Sequence, residues 1–159
     1  MPGLDDLYRE IILDHYRTPR NRGELDPPAV RTDGHNPLCG DEISVYLAVD
    51  ESTGTGDDAV VSDIKIGGQG CSISQSSASM MTQAVLGQTV GEVKAKLRRF
   101  KTMMGIDGIE MQDGDADIDL GDLEALQGVV KFPVRIKCAV LSWNTLANAL
   151  DDAAATSGG

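Results

Sequence analysis

Cys39, Cys71 and Cys138 are the three cysteines of this 159-residue chain. Cys39 stands in Asn36-Pro37-Leu38-Cys39-Gly40-Asp41, Cys71 in Gly67-Gly68-Gln69-Gly70-Cys71-Ser72, and Cys138 in Arg135-Ile136-Lys137-Cys138. With the carboxylate of Asp41, three thiolates make four ligands, the number a tetrahedral zinc ion takes. Cys39 and Asp41 are two residues apart, so in extended chain both side chains project the same way. Cys71 follows three glycines and precedes a helix start, where unpaired backbone N–H groups favour thiolate over thiol. Arg135 lies three residues before Cys138, on the same face of a helix, where a guanidinium lowers a thiol's pKa and can hold a departing sulfur anion.

Each residue also has a plainer reading. A lone cysteine is most often a small buried apolar side chain, and none of the spacings matches the short C-x₂-C pairs of zinc fingers. Asp41 alone is a strand-edge carboxylate and Arg135 alone a surface charge. Gly67–Gly70 alone is a tight turn, without the Lys-Ser/Thr of a phosphate-binding loop. His15 falls on the apolar face of a helix and reads as packed. His35, close to Cys39, is the spare candidate ligand. Met80-Met81 and Met103-Met104 read as core fillers.

The elements that must position these residues follow from periodicity. Leu4 to Arg17 is an amphipathic helix, with apolar residues three and four apart. Thr18-Pro19-Arg20-Asn21-Arg22-Gly23 ends it, and a polar connection runs on to Pro37. Asp41–Val49 alternates as a half-buried strand, with Ile43, Val45, Leu47 and Val49 on one side. Val60–Gly67 is a second strand, pairing as a hairpin, with Val60, Ser62, Ile64 and Ile66 against Val61, Asp63 and Lys65. Cys71–Ser74 is a short third strand or the approach to the helix Ser76–Leu86. Thr89 and Glu92 form a capping box for a helix to Met103. Gly105–Gly121 lacks periodicity, and a short helix closes it near Leu120–Leu126. Phe132–Leu150 is a long helix with Pro133 in its first turn. The expected organisation is one domain, 1–150, with a flexible tail, 151–159.

A net charge of −11 argues against nucleic acid, which needs a basic face, and against an anionic membrane surface. No apolar run reaches the ~20 residues of a membrane span, and the N-terminus has no signal-like apolar core. These features give a cytoplasmic expectation. The acid runs at Asp57-Asp58 and Asp113–Asp122 read as solvated loops. Three cysteines cannot all pair within one chain, which leaves free or metal-bound thiols.

Taken together, Leu7-Tyr8-Arg9-Glu10-Ile11-Ile12-Leu13-Asp14-His15-Tyr16, Pro19-Arg20-Asn21, Asn36–Asp41, Gly70-Cys71-Ser72-Ile73-Ser74, Ser77–Met81 and Arg135-Ile136-Lys137-Cys138-Ala139 with Trp143 resemble the SufU proteins. These sit within the wider family of iron–sulfur scaffolds of the IscU and NifU N-terminal type. The resemblance spans Leu4 to Leu150. It implies an α+β fold, a small antiparallel three-stranded sheet backed by helices. It implies zinc on Cys39, Asp41, Cys71 and Cys138, and sulfur transfer with Cys39 as the attacking thiolate and Arg135 linked to the exchange. It implies a SufS-type, pyridoxal-phosphate-dependent cysteine desulfurase as partner, a histidine of which replaces one cysteine on the zinc, with iron–sulfur assembly proteins downstream. The alternative in the same superfamily is a scaffold holding a nascent [2Fe–2S] cluster. Lys137 stands where the scaffold branch has a histidine, and Lys131-Phe132-Pro133-Val134-Arg135 replaces its Leu-Pro-Pro-Val-Lys motif. The long stretch between Cys71 and Cys138 looks like the insertion of the SufU branch. All three favour the sulfur carrier.

Overall fold

The computed structural model of the chain describes residues 2–37 and 40–157, with side chains from 8 to 37 and from 40 to 154. In order come α1 (Pro2–Arg17), β1 (Val30–Asn36), β2 (Asp41–Asp50), β3 (Val60–Gln69), α2 (Ser72–Val85), α3 (Val90–Met103), a 3₁₀ helix (Gly121–Lys131) and α4 (Pro133–Ser157). The three strands form one antiparallel sheet in the order β1-β2-β3, and the helices pack against it. This is the α+β architecture that the resemblance implies. Among the described residues, no helix is long and apolar enough to cross a membrane.

The sheet departs from expectation in which segment supplies the third strand. It is β1, from the polar connection, and it pairs with β2 from Val30↔Leu47 to Asn36↔Asp41. Of the two readings of Cys71–Ser74, strand or helix approach, the second holds: it is the cap and first turn of α2, because the extended backbone of Cys71 (φ −70°, ψ 168°) hands over directly to helix at Ser72. In β3 the face also changes. Val61, Ile64 and Ile66 are buried while Val60 is not. The register passes from Ala48↔Asp63 to Val49↔Val61, so Ser62 is an extra residue, and a bulge of this kind shifts the alternation by one position.

The core lies between the sheet and the helices. Val45, Leu47, Val61, Ile64 and Ile66 meet Met81, Leu146 and the stacked pair Phe100–Trp143, whose ring centroids are 4.9 Å apart. α4 lies across β1 and β2, and it can approach closely because Gly34 has no Cβ to meet Thr145. Serines let α2 pack tightly in the same way. Ser76 Oγ donates to the Ile12 carbonyl of α1 at 3.0 Å, and Ser77 Oγ to the Ala139 carbonyl of α4 at 2.5 Å. At α3 the expected capping box is present, with the Thr89 N–H donating to Glu92 Oε1 at 3.1 Å and the Glu92 N–H to Thr89 Oγ1 at 3.2 Å. α4 runs to Ser157, beyond the Leu150 at which apolar periodicity ends. Thr32 Oγ1 donates to Asp152 at 2.7 Å and ties this extension to β1.

The acid run is only partly solvated. Asp113, Asp117 and Asp119 are exposed, but Asp115 is buried. It accepts from Arg98 Nε at 2.6 Å, from Arg98 Nη2 at 3.2 Å and from the Gln112 N–H at 2.9 Å. The Arg98 guanidinium, then the Gln112 amide, hold its carboxyl below the usual carboxylate range. Asp122 reaches His15, which is fully buried as its apolar-face position predicts. Nε2 lies 2.9 Å from Asp122 Oδ2, and Nδ1 lies 2.8 Å from Ser79 Oγ. Ser79 Oγ already accepts from the Arg20 N–H at 2.8 Å. The Asp122 carboxylate can only accept, so Nε2 is the donor to it, and the Ser79 hydroxyl is left to donate to Nδ1 of the neutral ring. His15 thus joins α1, α2 and the 3₁₀ helix. His15→Ala is expected to cost about 2–4 kcal/mol in urea unfolding, from a cavity plus an orphaned hydroxyl. A loss below about 0.5 kcal/mol, the range of ordinary surface changes, would show that the bridge is incidental.

Candidate metal centre

Three elements deliver the site. Asp41 is the first residue of β2, Cys71 caps α2, and Cys138 lies in the second turn of α4. Their ligand atoms all lie within 4.8 Å of one another. Asp41 is 1 % exposed and Cys138 is fully buried, while Cys71 is half-buried. The sequence expectation also includes Cys39, which with Leu38 lies outside the described residues. His35 is exposed on β1 and is not part of the group. Strand alternation turns it away from the face that carries the buried Asn36.

Asp41 is fixed by the loop it faces. Its Oδ1 accepts the Cys71 N–H at 2.9 Å, and its Oδ2 lies 3.9 Å from Cys71 Sγ. Zinc–sulfur bonds of ~2.3 Å place two tetrahedral ligands about 3.5–3.8 Å apart, so this spacing suits one ion. A buried carboxylate facing two sulfurs is costly unless a cation compensates it, and the donor set of two thiols and a carboxylate is one that zinc accepts. The residues present therefore fit the metal.

Two further groups contact the sulfurs. The Asn36 side-chain amide donates to Cys138 Sγ at 3.8 Å in a buried setting. Asn36 is the Cα partner of Asp41, so one rung of the sheet carries a ligand on one side and a donor to another ligand on the other. The sequence motif contains Asn36, but the topology that aims it at Cys138 was not legible there. Arg135 is exposed at the start of α4. The charge of Cys71 first, then a hydrogen bond and the charge of Cys138, hold its guanidinium above its usual range. The i, i+3 spacing anticipates the approach to Cys138, and the fold adds Cys71.

Gly70 makes the closeness possible. A Cβ there would lie 2.5 Å from Asp41 Oδ1 and 2.6 Å from Ser74 Oγ. Both neighbours are buried, so a side chain at position 70 would have to displace them. Gly70→Ala is expected to push the Asp41 carboxylate away from Cys71 and weaken zinc binding by at least about tenfold, the lower bound for disturbing a ligand's supports. Competition with a chromophoric chelator measures this, and undiminished affinity would show that the carboxylate has room to move.

Residues 7–152 match the family model of the NifU-like N terminal domain. The chain is 49% identical over 143 residues to the zinc-dependent sulfurtransferase SufU of Bacillus subtilis (strain 168), covering 90% of this chain and 88% of that protein. It is 40% identical over 148 residues to the iron-sulfur cluster assembly scaffold protein IscU of Streptococcus pyogenes serotype M1, covering 92% and 84% respectively. Among solved structures, the N-terminal NifU-like protein of Brucella abortus superposes with a TM-score of 0.74 at 25% identity, over 94% of this chain and 95% of that one. With three site residues drawn together from three elements of this fold, the chain belongs to the NifU-like N terminal domain family.

Proposed function

We propose that this protein is a zinc-dependent sulfurtransferase of iron–sulfur cluster assembly, taking persulfide sulfur from a SufS-type, pyridoxal-phosphate-dependent cysteine desulfurase in the cytoplasm and passing it to downstream assembly proteins. The observation that carries this reading is the convergence of Asp41, Cys71 and Cys138 beside Arg135, in a chain 49% identical to a zinc-dependent sulfurtransferase. Cys39, Asp41, Cys71 and Cys138 hold the metal. Bound zinc keeps thiolates deprotonated and muted as nucleophiles until a donor is present.

The chain's own residues carry the transfer. The Cys39 thiolate attacks the outer sulfur of the desulfurase persulfide. A new S–S bond forms on Cys39, the donor's S–S bond breaks, and the donor cysteine leaves as a thiolate. The electron count closes without an added oxidant or reductant, as in ordinary thiol–disulfide exchange. Arg135 stabilises sulfur anions at the mouth of the site, while Asp41 and the Asn36 amide keep Cys71 and Cys138 in place.

Elemental analysis of the purified protein, together with a desulfurase assay, tests the reading. One zinc per chain and a stimulated desulfurase in the presence of a reducing thiol are expected. No zinc, or zinc without stimulation, would overturn it. The scaffold reading rests on the 40% identity to IscU and on a ligand set that iron also accepts. Anaerobic reconstitution separates the two, since a scaffold yields a cluster that passes intact to an apo-ferredoxin.

A further inference from the structure

Beside the metal centre a groove of about 580 Å³ opens between α1, the start of α2, the end of the 3₁₀ helix and the start of α4. Ile12, Leu13, Ile73 and Phe132 form much of its wall. Phe132 is 61% exposed and the adjoining Val134 60% exposed, a large apolar surface for residues that lead directly into a helix. Solvent-facing aromatic and aliphatic side chains grouped at a concavity mark interaction sites.

The charges at this groove are the reverse of those on the chain as a whole. The sequence holds 25 acidic and 14 basic side chains, yet the charged residues lining the groove are Arg9, Lys131 and Arg135, and no carboxylate lines it among the described residues. An apolar trough rimmed by cations on an acidic protein selects an occupant with apolar anchors and adjacent carboxylates, and repels a basic one. Arg135 belongs to both the groove and the metal centre, where it faces Cys71 and Cys138.

We propose that this groove docks an acidic, apolar-anchored segment of the sulfur-donating partner, whose carboxylates engage Arg9, Lys131 and Arg135. This rests on the sulfurtransferase reading and deepens it. A partner carboxylate that engages Arg135 competes with the thiolates for the same guanidinium. One side chain thereby links recognition of the donor to the sulfurs of the site.

The test is calorimetric titration of the zinc-loaded full-length chain with its cysteine desulfurase, comparing wild type, Phe132→Ser, Lys131→Glu and the charge-matched control Lys94→Glu. Phe132 and Lys131 are exposed, so these variants are expected to keep the wild-type circular dichroism and zinc content. Kd is expected to weaken about tenfold or more for Phe132→Ser and Lys131→Glu, as for central anchor residues, and by less than about twofold for Lys94→Glu, as for a charge outside the interface. Hydrogen exchange on the complex should protect a desulfurase segment in which Asp or Glu neighbours Leu, Phe or Ile. Equal binding by all four proteins, equal weakening by the control, or protection of a segment lacking carboxylates would overturn the groove as the docking site. A wild-type chain that does not bind the desulfurase would instead overturn the sulfurtransferase reading.

Discussion

Cys39→Ala is expected to end sulfur acceptance. Incubated with desulfurase and cysteine, the wild-type chain should gain the mass of one sulfur atom, and the variant should gain none within the time the wild type takes to saturate. Desulfurase turnover should lose its stimulation, by about 10² or more, because no second residue can supply the attacking thiolate from the same position. The assignment of Cys39 is the one the resemblance to SufU proteins implies. Two peptide units tether Cys39 to within about 7 Å of Asp41, Cα to Cα, and Asp41 is already at the cluster. The other two sulfurs are held by their surroundings. Cys138 is fully buried and accepts the Asn36 amide, while Cys71 is fastened into the cap of α2 with its N–H on Asp41. Sulfur uptake by the variant at the wild-type rate would reassign the nucleophile to Cys71 or Cys138.

Asp41→Ala should be nearly as severe, by another route. The carboxylate both faces Cys71 Sγ and receives the Cys71 N–H. Its removal takes away a ligand and orphans a donor, and an unpaired buried donor costs about 1–3 kcal/mol. Zinc affinity is expected to fall by more than about 100-fold, the upper end for loss of a ligand's support alone. Asp41→Asn separates the two contributions, since it keeps an oxygen for the Cys71 N–H and removes the charge. Compared zinc-free, the Asn variant should unfold near the wild-type urea concentration and the Ala variant below it, while both lose zinc to a chelator more readily than the wild type. Wild-type zinc affinity in Asp41→Ala would remove the carboxylate from the ligand set.

The site was more legible in the sequence than the sheet that carries it. Strands with an apolar face announce themselves, as Ile43, Val45 and Leu47 do. β1 reads Val-Arg-Thr-Asp-Gly-His-Asn, with one apolar residue in seven, because it is an edge strand with an open face. Its burial alternates with side-chain size and contact rather than with polarity, and Gly34 is placed to admit α4. Ile73 beside Cys71 imitated a strand because an N-cap residue is itself extended. In β3 the phase slipped because the extra residue Ser62 is defined by its partner strand, which periodicity within β3 cannot register.

Asp41, Cys71 and Cys138, which the fold brings together, were picked out by residue type, and Arg135 by helical spacing. The contacts of Arg135 with Cys71 and of Asn36 with Cys138 depend on pairings across 64 and 102 positions, which only the assembled fold creates. Asp115 illustrates the same boundary. Within a run of acids it looks like its neighbours, and only the approach of Arg98 from α3 makes it an interior residue.

Asp41, Cys71 and Cys138 issue from the opening residue of one strand and from the leading ends of two helices that are distant in the chain. A metal ion there would act as a rivet at one pole of the molecule, closing long loops whose separation would otherwise be entropically favoured. The opposite pole has its own fastening in the capped start of α3 and needs no such rivet. Stripping the ion should therefore produce a graded loosening rather than collapse. Amide protection would fade first where β2, α2 and α4 meet, and persist around Val93 and Phe100. A carrier built this way can slacken its working end to receive cargo while the rest of the body keeps its shape.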